Sequence, residues 1–158
     1  MVGDKPSRRA ALAGDFLIVC GGVGVVLGVV PFAASLLRMA GCHLGLGPQD
    51  WAAHGVGAMG LSVPWAALSA ACGAFLGGLL VAAGLGWRRA RPWAPLVTLI
   101  YGLLGVLVTG TDLVIFALAA RPGTMRTSML IADGLACALA AGTLLALILW
   151  HHRQRMKR

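Results

Sequence analysis

Residues 87–93 read Trp87-Arg88-Arg89-Ala90-Arg91-Pro92-Trp93, three arginines and a proline between two tryptophans, with a long apolar run on each side. The core of a bilayer rejects such a cluster of charge, and tryptophan belongs in the headgroup layer. The segment is therefore expected to be a cytoplasmic turn, spanning 87–94, that divides the chain into two membrane hairpins.

Composition agrees with that division. The 158 residues are 59% hydrophobic and 11% charged, whereas charged residues make up about a quarter of a soluble domain. The formal charge of +8 would suggest nucleic acid in a soluble protein. Here the basic residues stand in short tracts at the ends of apolar runs, where they set topology and meet anionic lipid headgroups. The expected class is an all-α integral membrane protein with no nucleic-acid partner.

Four apolar runs, at about 16–37, 61–86, 95–120 and 128–150, each meet the ~20 residues needed to cross a bilayer as a helix. They predict a four-transmembrane-helix bundle forming one membrane domain over residues 1–158. The first run follows Lys5, Arg8 and Arg9 and resembles a signal peptide, but it continues through Leu37, too long for one, so an uncleaved helix is expected. Pro31 removes a backbone hydrogen bond from it and predicts a kink between Leu27 and Pro31. Residues 38–60 form the long outer loop, and residues 49–54 within it read as a short interfacial helix.

Of the 13 lysines and arginines, ten fall on the side of the termini and of residues 87–94, and three (Arg38, Arg121, Arg126) on the other. The positive-inside rule then puts both termini in the cytoplasm. The Ala, Gly, Leu, Val and Arg excess fits a GC-rich genome, and the expected location is a bacterial inner (plasma) membrane.

Small residues recur at four-residue spacing: Cys20, Gly24 and Gly28 in the first run, Ser69, Gly73 and Gly77 in the second, and Gly134, Ala138, Gly142 and Ala146 in the fourth. Such a face lets backbones approach closely in lipid. With 23 glycines some matches arise by chance, so the stripes count together rather than singly. They predict close helix packing, within the chain or against another subunit.

Two ionisable residues stand inside the predicted spans, Asp112 and Asp133. A carboxylate in the membrane is costly and marks a candidate ion or proton site. Asp112 lies about eight residues, ~12 Å, from the outer end of its helix, and Asp133 enters from the other side of the same outer turn, so the two are expected at similar depth. The competing expectation is that Arg38, Arg121 or Arg126 snorkels inward and neutralises each as a plain ion pair.

Cys42, His43, Asp50 and His54 gather metal-ligand types in the outer loop, but their spacing matches no established site, so Cys42, His43 and His54 rank as weak metal candidates. No CxxC occurs, and Cys20, Cys72 and Cys137 read as small packing residues. No nucleophile with a base stands out, no cofactor is implied, and an enzyme is the least expected class. The chain reads as an accessory or assembly subunit of a membrane complex, or a homo-oligomer, with other membrane subunits or itself as partner. The alternative is a small channel or transporter using Asp112 and Asp133.

Overall fold

A computed structural model describes residues 8–41 and 60–156. These form four helices and, among the described residues, no strand: α1 (Arg8–Met39), α2 (Val63–Arg88), α3 (Ala94–Leu118) and α4 (Thr124–Arg155). All four are long and apolar enough to cross a membrane. Helices α1 and α4 overrun the expected spans. Arg8 to Ala13 continue the helix ahead of Phe16 because arginine, alanine and leucine are strong helix formers. Asp15 consequently lies within α1, where it pairs with Arg88 at 3.4 Å. Both side chains are exposed, so the pair contributes at most about 1 kcal/mol. Pro31 sits inside α1 without ending it, and Ser35 Oγ donates to its carbonyl at 2.8 Å.

The helices run antiparallel in sequence, and packing follows chain order: α1 along α2, α2 on α3, α3 on α4. Helices α1 and α4 are not packed along one another. The most apolar stretches of α2 and α3 are each 28% buried, against 17% for α1 and 6% for α4, which places α2 and α3 in the middle. The large side chains left outside, such as Phe16, Val23, Leu27, Leu107, Leu135 and Ile148, are apolar. A helix that is apolar all round suits hydrocarbon surroundings.

One end, here the basic end, carries the exposed Arg8, Arg88, Arg89, Arg91 and Arg153. Its turn has a defined geometry. Pro95 occupies the first turn of α3, where a missing N–H costs nothing. At the end of α2 the Ala90 N–H bonds Trp87 O at 3.2 Å and the Arg91 N–H bonds Gly86 O at 2.9 Å. This is a Schellman closure, with Ala90 at φ 49 in the left-handed position that usually holds glycine. The opposite, loop end carries residues 119–123, and there Arg126 closes α3: its Nε and Nη2 donate to Phe116 O at 2.8 Å and Ala117 O at 2.5 Å. A cation at a helix C-terminus satisfies carbonyls and opposes the dipole.

The main core joins Leu17 of α1, Leu76, Leu80 and Ala83 of α2, Tyr101 of α3 and Ala140 of α4. The first two helices also share a seam with seven-residue spacing. A Cβ on Gly14 would stand 2.7 Å from Gly84 O, one on Gly21 2.7 Å from Gly77 O, and one on Gly28 2.7 Å from Ala70 O. Backbone lies on backbone from Gly14 to Gly28 of α1 and from Ala70 to Gly84 of α2. A seven-residue repeat keeps such a face in register by left-handed supercoiling.

Candidate functional site

Asp112 is the one charged side chain among the buried described residues, 5% exposed. Helix α3 places it about six residues, ~9 Å, from the loop end, and Ser69 lies at the same depth on α2. Ser69 Oγ donates to Asp112 Oδ2 at 2.7 Å, a hydrogen bond across the α2–α3 seam. One turn back along α2 is Trp65, whose Nε1–H is sealed from the surface without a hydrogen-bond acceptor among the described residues.

Asp133 reaches the same layer from α4, about nine residues or ~13 Å from the loop end. It lies within electrostatic reach of Asp112. Its Oδ2 is sealed, and no donor among the described residues bonds it. Ser69, Asp112 and Asp133 thus come from three helices into one depth layer.

Among the described residues, no arginine or histidine forms an ion pair with either aspartate. Arg126 bonds the Phe116 and Ala117 carbonyls instead, and Arg38 and Arg121 are exposed. The snorkelling arrangement expected for these arginines is not the one found. The last turn of α3 offers nearer acceptors than a carboxylate further along the helix.

Chemically, the layer presents two carboxylates and one hydroxyl, hard oxygen donors of the kind that hold a proton or a small inorganic cation. Among the described residues no three His, Cys, Asp or Glu side chains gather as a metal site. Cys42, His43 and His54, together with residues 49–54, lie outside the described residues.

The glycines named from four-residue spacing divide between two surroundings. A Cβ on Gly77 would stand 2.8 Å from Gly21 O, one on Gly28 2.7 Å from Ala70 O, and one on Gly24 3.3 Å from the Gly77 Cα. A Cβ on Gly73, Gly134 or Gly142 would meet nothing within 4 Å. Ser69, read from spacing as a small packing residue, is a hydrogen-bond partner instead. Its match in depth to Asp112, counted from the loop end of each helix, is the signal that would have paired them.

At the basic end Trp87 does two things. Its Nε1 donates to Thr98 Oγ1 at 2.9 Å, and its ring meets Trp150 edge-on with centroids 5.5 Å apart. The place of both tryptophans at the ends of apolar runs was readable from sequence; their contact was not, since it joins α2 to the far end of α4. Set against protein-family models, curated proteins and solved structures, the chain matches none.

Proposed function

We propose that this chain is an integral membrane protein that works through helix–helix association, as an accessory or assembly subunit of a membrane complex or with copies of itself. One observation carries the reading: α4, the least covered helix, leaves Ala138, Gly142 and Ala146 exposed, and a Cβ on Gly142 would meet open space. In lipid such an uncovered small-residue surface favours a second helix, because small side chains let two backbones approach closely. The basic end lies in the cytoplasm against anionic headgroups, by the ten-to-three distribution of basic residues, and the setting is a plasma-type membrane such as a bacterial inner membrane. Cross-linking in native membranes, followed by mass spectrometry, tests the reading. Adducts through α4 that Gly142→Leu abolishes are expected, and a chain that remains monomeric and partner-free would overturn it.

A second reading rests on a different observation, the unpaired Asp133 carboxylate beside the Ser69–Asp112 bond. In it the chain is a small channel or transporter and the two aspartates carry a proton or a monovalent cation. Flux in proteoliposomes decides it: transport lost in a stably folded Asp112→Asn variant supports carriage, and no flux in the wild type under any gradient removes it.

A further inference from the structure

We propose that the protein moves as two helix pairs, α1–α2 and α3–α4, that pivot about the basic end and part at the loop end, with the Ser69–Asp112 bond as the latch that holds them shut. This goes beyond both functional readings and requires neither.

Each pair is internally stiff. Helices α1 and α2 lie backbone on backbone at the Gly14–Gly84, Gly21–Gly77 and Gly28–Ala70 contacts. Helices α3 and α4 mesh where a Cβ on Gly105 would stand 2.7 Å from the Ala140 Cβ, and Arg126 ties the start of α4 to the last carbonyls of α3. Close-packed interfaces of this kind move as units.

The seam between the pairs is uneven along its length. At the basic end the pairs are joined covalently by residues 89–93, by the Trp87 hydrogen bond to Thr98 and by the Trp87–Trp150 ring contact. The main core, with Leu80, Ala83 and Tyr101, adjoins this end. Towards the loop end the covalent connections join helices within a pair, residues 40–62 linking α1 to α2 and residues 119–123 linking α3 to α4. Among the described residues, the first pair adds the half-buried Leu61 to the small Phe116–Ala120 cluster there. A Cβ on Gly60 would stand 3.5 Å from Arg121 Nε, and among the described residues the side-chain hydrogen bond that ties the pairs at this end is Ser69 Oγ to Asp112 Oδ2. Parting the pairs at this end would open the layer that holds Asp112 and Asp133 without disturbing either stiff pair.

Spin-label distances in lipid nanodiscs test the pivot, with the native cysteines replaced by alanine. One label pair sits at exposed loop-end positions, Leu68→Cys with Ile131→Cys, and the other near the basic end, Leu85→Cys with Ile148→Cys. Leu68 lies ~28 Å along α2 from Trp87, so an opening of ~10° lengthens the loop-end distance by ~5 Å. The expected result is a broader loop-end than basic-end distribution in the otherwise native chain. Ser69→Ala should lengthen the loop-end distance alone, Ser69→Thr should restore it by returning the hydroxyl, and Trp87→Phe should broaden the basic-end distance. Equal widths at both ends, or a Ser69→Ala effect that is absent or the same at both ends, would overturn the pivot. The comparison of widths needs no substitution in the latch and stands even if a latch variant fails to fold.

Discussion

Gly21 and Gly77 meet backbone to backbone: a Cβ on Gly77 would stand 2.8 Å from the Gly21 carbonyl oxygen and 2.5 Å from the Val25 nitrogen. Real Cβ atoms do not occupy such positions, so Gly77→Ala must push α1 and α2 apart. Overpacking of this kind costs about 1–3 kcal/mol. Gly77→Ala and Gly21→Ala should each lower the thermal unfolding midpoint in detergent, and an unchanged midpoint for both would show that the seam yields freely.

Gly142→Leu probes the opposite case, since a side chain there meets open space within the chain. The expected outcome is an unfolding midpoint close to wild type together with loss of association in native membranes. A variant that unfolds early, with or without its partners, would place Gly142 inside the fold instead.

Ala90 holds a left-handed conformation at φ 49, which costs an L residue with a Cβ roughly 1–2 kcal/mol relative to glycine. Ala90→Gly should therefore stabilise the turn by up to about 1 kcal/mol, the gain being offset in part by the greater freedom of glycine when unfolded. Equilibrium unfolding of the two proteins in the same detergent gives the sign directly.

Loss of the Ser69 hydroxyl leaves Asp112 buried with its bond unmade, which costs about 1–3 kcal/mol. Asp112→Asn keeps an acceptor for Ser69, so it should destabilise less than Ser69→Ala. The reverse order, measured by the same unfolding assay, would mean that the charge of Asp112 matters to the fold through some other contact.

The topology reading makes its own forecast. A reporter fused after Arg158 should be active on the cytoplasmic side only, and one inserted near Gly47 on the opposite side only. An outward C-terminus would sink the ten-to-three argument.

Four apolar runs, the turn at residues 87–93 and the two aspartates within the long apolar helices were all legible in the sequence, because length, charge and tryptophan placement act locally. The helix seam was legible in part from spacing, at Gly24, Gly28 and Gly77 but not at Gly73. Four residues advance a helix by ~400°, so each step of a four-residue stripe drifts ~40° off the line of contact, whereas seven residues return to within ~20°. Gly73 drifts away from α1 while Gly77 stays on it, and Gly14, placed outside the first run by the polar residues around it, turns out to open the seam. The partner of Asp112 was hidden for another reason. Ser69 and Asp112 are far apart in sequence, and only the antiparallel register of α2 on α3 sets them at one depth.

The Gly14–Gly84, Gly21–Gly77 and Gly28–Ala70 contacts bear on how the chain is made as well as how it stands. Every residue in that seam precedes Trp87, so the sequence needed to zip the first two helices is complete before α3 has been synthesised. Chains emerge at about 5–20 residues per second and fold in N-terminal to C-terminal order. The first hairpin can therefore assemble during translation and serve as the template on which Tyr101, and then Ala140, settle. Substitutions in the seam should act early, on insertion yield, whereas those at Asp112 or Trp87 act late, on the docking of a second hairpin to a first one already formed.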